Sequence, residues 1–369
     1  MKVLHLINNL GSGGAEKLLV DLIPLMNKIE NLQADILLLT DKCNVFYDSL
    51  SSKGVKVNTI KYRNMYDPRN IIEIKNYIVN GGYDIVHSHT FPTQMWVALS
   101  KLFLRNKKVK FITTEHSTHN RRREKFYFRY IDRFIYYQYD SIISITEKTR
   151  DNLLEWIDPK RKKIDKHIII ENGIDIEKIK VALPYKKSDL IEGVSDNTKL
   201  ICMVGRFSEA KDQPTLIRAI SNLQKEVHLV LVGEGPLMGK NEELAEELNI
   251  SDRVHFLGFR KDISRILKTV DIVILSSYWE GFGLAAVEGM AAGKPVIVSN
   301  VEGLNSVVEE SRLKYKSNDF NELANKINEI LTHKDIYNCM VNYSNRRCKK
   351  YNIKQKMEEL TNIYKSVVK

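Results

Sequence analysis

The chain has 369 residues, more than one core usually organises, and suits two domains of roughly 100–200 residues each. With 43% hydrophobic and 9% aromatic residues it is not a disordered chain, and no apolar run reaches the ~18 residues of a membrane span. Its net charge of +11 is concentrated in residues 1–180, where 30 Lys+Arg face 21 Asp+Glu; the remainder holds 27 and 25, so the first half offers the field for an anionic partner.

In chain order, Met1–Asn8 reads as a strand without the long apolar region of a signal peptide, so a cytoplasmic protein is expected. Apolar, β-branched runs follow at 34–39, 55–60, 84–87, 110–114, 141–145 and 167–170, with helical patterns between several of them. The series begins again at 200–204, 227–232, 253–257, 271–275 and 295–298. Parallel strands covered by helices on both faces have this two-sided apolar character, and the alternation predicts α/β architecture with two doubly wound sheets. A polar stretch punctuated by Gly173, Pro184 and Gly193 sets the boundary, giving domains at 1–180 and 181–350. Residues 351–369, with Ile353, Met357, Leu360, Ile363 and Val367, read as a terminal helix that packs back on the first domain. Cys43, Cys202, Cys339 and Cys348 lack any CxxC spacing and are expected as reduced thiols.

Several short stretches carry candidate chemistry. Gly11-Ser-Gly-Gly-Ala-Glu16 follows the first strand and opens a helix whose free N–H groups suit a phosphate or carboxylate, although Glu16 stands where GxGxxG needs glycine and a plain tight turn fits equally. His87 and His89, spaced i,i+2 at a strand end, offer no evident third metal ligand, so no metal is expected. His119–Asp140 mixes Arg121, Arg122 and Arg123 with aromatic residues that include Phe126, Tyr127, Phe128, Tyr130, Phe134, Tyr136 and Tyr137; an anionic membrane surface or a core-facing aromatic stripe with a solvated basic face would each produce this pattern. Arg206 and Lys211 flank a loop after a strand and could hold a diphosphate, or be solvated surface charges. Gly233 and Gly235 read as turn residues without chemistry. Finally, Ser277–Pro295 leaves a strand, bends at Gly281 and Gly283, and starts a helix at Leu284, with Glu280 before the helix entrance and Glu288 inside it. Such an entrance suits a diphosphate, and the two carboxylates suit sugar hydroxyls.

Taken together, Glu280-x7-Glu288, the Gly-Arg-Phe loop with Lys211, Gly13-Gly14, Asn172-Gly-Ile-Asp175 and Thr114-Glu-His116 resemble the retaining GT-B glycosyltransferases of family 4. The resemblance implies two Rossmann-like domains facing across a cleft, with a nucleotide-diphosphate sugar held mainly by the second and an acceptor mainly by the first. It implies Glu288 on the ribose hydroxyls and Glu280 on the donor sugar. Arg206, Lys211 and the Gly283-Leu284 backbone would hold the diphosphate, Gly13 and Gly14 would close on it, and His116 would contact the sugar. With no DxD sequence to hold a metal, metal-independent transfer without a cofactor is expected, by front-face attack with retention. The overall look resembles bacterial surface-polysaccharide and O-antigen transferases. These imply a UDP-hexose or UDP-N-acetylhexosamine donor, a lipid-diphosphate-linked glycan acceptor and a peripheral site at the inner face of the membrane. A GT-B sugar-nucleotide epimerase and a basic nucleic-acid-binding module are the competing readings; the second leaves Glu280, Glu288 and the glycine loops unexplained, so no nucleic acid is expected.

Overall fold

The computed structural model describes residues 1–105, 108–118 and 120–368, and of Arg121 the backbone alone. Contacts divide the chain into two units, Met1–Gly173 with Ile353–Lys369, and Ile174–Asn352. The change of unit thus falls between Gly173 and Ile174 rather than at 180–181. Gly173 is required there: a Cβ on it would meet the Ile353 Cα at 2.7 Å, where the terminal segment begins.

The first unit is a seven-stranded parallel sheet in the order β3-β2-β1-β4-β5-β6-β7. Its strands are β1 (Lys2–Ile7), β2 (Gln33–Leu38), β3 (Val57–Thr59), β4 (Ile85–His89), β5 (Lys110–Glu115), β6 (Ser141–Ser144) and β7 (His167–Ile169). Side chains alternate between two apolar layers. Val3, Ile7, Ile36 and Ile85 pack on one face with Leu19 and Ile23 of the helix Gly14–Met26; Leu4, Leu6, Val86 and Phe111 pack on the other. The terminal helix Ile353–Val368 joins the first layer through Ile353, Leu360 and Tyr364. Its buried line therefore ends on Tyr364 rather than on Val367, which is half-buried.

The second unit is a six-stranded parallel sheet ordered β10-β9-β8-β11-β12-β13. It comprises β8 (Lys199–Val204), β9 (Val227–Val232), β10 (Val254–Phe256), β11 (Ile272–Leu275), β12 (Val296–Ser299) and β13 (Lys314–Tyr315). The two-residue β13 is too short to leave a periodic signal in the sequence. Helix starts are fixed by side chains as well as by burial: Asp212 accepts from the Thr215 N–H and Asp319 from the Glu322 N–H.

In each sheet the chain first builds outward from its starting strand and then crosses to that strand's other side. The reversal lies between β1 and β4 in the first unit and between β8 and β11 in the second. Loops leaving neighbouring strands diverge at such points, which opens a crevice at the carboxyl ends and is where ligands of open α/β sheets bind.

Candidate functional site

At the second unit's reversal point, the loops after β8 and β11 are stitched together. Asp212 N–H donates to Ser276 O at 3.1 Å and Tyr278 N–H to Ala210 O at 3.0 Å, so the sequence-predicted residues Lys211 and Glu280 arrive side by side. The Lys211 ammonium pairs with the Glu280 carboxylate and also donates to Ser277 Oγ at 3.2 Å. Glu280 Oε1 accepts the Gly281 N–H at 3.1 Å. Both charged side chains remain partly exposed, so the pair keeps access to a ligand.

The backbone around this pair leaves no room for larger residues. A Cβ on Gly303 would fall 2.0 Å from the Glu280 carbonyl oxygen, so Gly303 fixes the chain at Glu280. Gly283 caps the helix Leu284–Ala291 with φ +89°, a conformation glycine adopts without strain. The helix therefore starts with the Gly283-Leu284 backbone at its entrance and carries Glu288, half-buried, one turn in. Arg206 is exposed on the loop after β8. That loop is held from β9: Cβ atoms on Gly233 and Gly235 would lie 2.1 Å from Gly205 O and 2.2 Å from Phe207 O. These two glycines, read from sequence as plain turns, permit the close approach that positions Arg206 and Lys211.

In the first unit the reversal point carries glycines and histidines. Gly13 caps the helix Gly14–Met26, and both Gly13 and Gly14 are exposed. Glu16 folds back over this entrance, since a Cβ on Gly13 would lie 2.3 Å from Glu16 Oε2. The residue that breaks the GxGxxG pattern thus places a carboxylate at the helix's positive end. An anion binding to Gly13 and Gly14 must displace it.

Strand register brings His5 of β1 opposite His87 of β4, and His89 opposite Thr114 of β5. His5 Nδ1 and His89 Nε2 lie 3.1 Å apart, as do His89 Nδ1 and His116 Nε2. His87 is held separately, its Nδ1 2.5 Å from the Tyr364 hydroxyl and its Nε2 2.7 Å from Thr114 Oγ1. Burial without a charge partner holds all four rings neutral, pulling His5 down to about 3, His116 to about 4, and His87 and His89 well below the ordinary histidine value. Among the described residues His5, His87 and His89 form the one group that could present three nitrogens to a metal, all within 4.8 Å of one another. Sequence spacing gave only two of these; strand pairing supplies His5, and tertiary packing supplies Tyr364.

The basic, aromatic stretch divides between inside and outside. Phe126 is 77% and Tyr130 69% exposed, and Tyr127, Ile131 and Phe134 join them on the surface with Lys125 and Arg133. A core-facing aromatic stripe therefore does not describe these residues; Tyr136 and Tyr139 are the buried ones. Arg122 does not belong to the exposed face either. It lies 3.4 Å from Asp132 and stacks 3.6 Å over the Phe91 ring, because the buried Asp132 carboxylate needs a cation. Arg123 is half-buried, and the Arg121 side chain lies outside the described residues. No described helix is long and apolar enough to cross a membrane.

Two family models match the chain: Glycosyltransferase Family 4 over residues 12–178 and Glycosyl transferases group 1 over 186–352. An Escherichia coli relative, UDP-Gal:alpha-D-GlcNAc-diphosphoundecaprenol alpha-1,3-galactosyltransferase, is 27% identical over 322 residues, covering 82% of this chain and 80% of the relative. A Campylobacter jejuni relative, N-acetylgalactosamine-N,N'-diacetylbacillosaminyl-diphospho-undecaprenol 4-alpha-N-acetylgalactosaminyltransferase, is 24% identical over 306 residues, 80% of this chain and 79% of the relative. Among solved structures, Anabaena Alr3699/HepE in complex with UDP and glucose superposes with a TM-score of 0.86 at 21% identity, covering 99% of this chain and 100% of that one. Both sheets and nearly all of the sequence are thereby accounted for, and the chain belongs to the family 4 glycosyltransferases of the GT-B fold.

Proposed function

We propose that the protein transfers a hexose or N-acetylhexosamine from a UDP-sugar to a hydroxyl of a lipid-diphosphate-linked glycan, with retention of configuration and without a metal ion, in bacterial surface-polysaccharide synthesis. The observation that carries this reading is the Lys211–Glu280 pair at the β8–β11 reversal point, beside the entrance of the helix bearing Glu288. Lys211 and Arg206 are the cations for the diphosphate, the Gly283-Leu284 backbone adds N–H donors, and Glu288 accepts from the ribose hydroxyls. In the transfer step the bond between the sugar C1 and the β-phosphate oxygen breaks, and its electron pair leaves with UDP. Charge gathering on that phosphate is what Lys211 and Arg206 neutralise. The acceptor oxygen bonds to C1 on the face UDP has left, and its proton passes to the departing phosphate oxygen. In the second unit Glu280 is assigned to a sugar hydroxyl; in the first, His116 is assigned to a sugar hydroxyl and Gly13 and Gly14 to the diphosphate, once Glu16 has moved.

The names of the Escherichia coli and Campylobacter relatives, which specify a diphospho-undecaprenol acceptor, support the acceptor class, and the former supports a UDP donor. The exposed face of Lys125, Phe126, Tyr127, Tyr130, Ile131, Arg133 and Phe134 is the surface we assign to the cytoplasmic side of an anionic membrane carrying that acceptor. Calorimetry of UDP binding tests the donor assignment. Glu288→Ala should weaken UDP binding by about 1.5–3 kcal/mol, the range for a hydrogen bond to a charged group. Unaltered UDP affinity in a folded Glu288→Ala protein would remove Glu288 from the site.

A further inference from the structure

The histidines at the β1–β4 reversal point form a chain with a readable direction. His5, His89 and His116 lie on three adjacent strands or just beyond their ends, joined by two nitrogen–nitrogen contacts of 3.1 Å. The terminal nitrogens, His5 Nε2 and His116 Nδ1, are both buried and have no hydrogen-bond partner among the described residues. Each neutral imidazole carries one N–H, so three rings supply three protons, two for the contacts and one for an end. All the protons must therefore point the same way along the chain.

The two directions differ in where the unpaired N–H is left. His5 is 0% exposed inside the sheet, where an unpartnered N–H is costlier than an unpartnered lone pair. His116 lies just past β5 and is partly exposed as a whole residue; its Nδ1 is buried as it stands, but this is the end of the chain of rings at which a local shift can bring a ligand or water to the N–H, whereas His5 is fixed inside β1. We infer that His5 Nδ1–H donates to His89 Nε2 and His89 Nδ1–H to His116 Nε2, making His5 and His89 positioning residues that hold His116 as an Nδ1–H donor rather than a base. Its partner is an oxygen acceptor, which on the function proposed above is a sugar hydroxyl. His87, with both nitrogens committed to Tyr364 and Thr114, stands outside the chain and braces it.

A metal ion is the competing occupant, and the geometry does not favour it. Tetrahedral zinc bonds of ~2.0–2.1 Å bring ligand nitrogens to about 3.3 Å from one another, whereas this group spreads to 4.8 Å. His87 would also have to give up one of its two existing partners.

Nitrogen-15 NMR of the full-length protein labelled at histidine reads the direction without any sugar ligand. His116 Nδ1, His89 Nδ1 and His5 Nδ1 should show protonated, pyrrole-type shifts, and the three Nε2 atoms pyridine-type shifts. The opposite pattern in the wild type overturns the proposal, and this readout needs no variant to fold. His5→Asn, whose amide N–H can replace Nδ1–H, should keep the His116 pattern. His5→Leu should shift His116 Nδ1 toward the pyridine type and lower kcat several-fold, with UDP affinity unchanged. An unchanged His116 pattern in folded His5→Leu overturns the proposal, as does stoichiometric Co²⁺ binding with visible bands that His5→Leu abolishes. Failure of the function proposed above would instead be seen as absent UDP binding, with the tautomer pattern intact.

Discussion

Lys211 is the residue at which fold and chemistry meet most closely. Its backbone is locked to the loop after β11, and its ammonium already neutralises Glu280 before any ligand arrives, so it holds its place without a diphosphate. On the proposed function a donor competes with Glu280 for that cation, and the pair, being partly exposed, is open to that exchange. Lys211→Ala should reduce turnover at saturating donor by about 10²–10³-fold, the effect of removing one preorganised donor from a developing oxyanion. Steady-state kinetics showing wild-type kcat in this variant would exclude Lys211 from leaving-group stabilisation. Arg122 shows the opposite situation: its pairing with Asp132 and stacking on Phe91 make it a structural cation, so its replacement is an unsuitable probe of membrane binding.

Within the elements, the buried histidines of β1 and β4 make the first unit's stability pH-dependent. The folded state holds His5 neutral down to about 3, while in the unfolded chain it takes a proton near 6.5. Its contribution is therefore complete above about pH 6.5 and is lost as pH falls from there toward 3, at up to about 1.4 kcal/mol per pH unit. Between pH 7 and pH 5, urea unfolding should show wild type losing about 2 kcal/mol more than His5→Leu does. Equal losses in both proteins would show that His5 does not carry the dependence. The same elements mark how far the sequence could be read. Strands buried on both faces announce themselves as β-branched runs, and among the described residues every strand but the two-residue β13 was visible this way. Glu280 and Glu288 were legible because a glycine bend and a helix start keep them on one loop-and-helix segment with seven residues between them. His5 was not, because its partners stand 82 and 84 positions away and meet it only through β1–β4 pairing. The packing roles of Gly233, Gly235 and Gly303 were hidden for the same reason.

Across the whole molecule, the charge excess of residues 1–173, 28 Lys+Arg against 19 Asp+Glu, and the outward aromatic residues of 125–134 belong to one unit. If that face meets anionic lipid, the variant Lys125→Gln/Phe126→Ser/Arg133→Gln should sediment less with phosphatidylserine-containing liposomes. Each cation should contribute about 1 kcal/mol, weakened by salt, with UDP affinity unaffected. Indifference of sedimentation to the triple change would leave this face merely solvated. The central claim, UDP-sugar transfer to a lipid-diphosphate-linked glycan with retention, is tested most directly by a transfer reaction in EDTA with UDP-α-hexoses and UDP-α-N-acetylhexosamines, the new linkage being read by NMR. The account predicts an acceptor-dependent product with an α linkage, formed without metal and lost in Lys211→Ala. A β linkage, activity restored only by Mg²⁺ or Mn²⁺, or epimerised nucleotide sugar released without acceptor would contradict it.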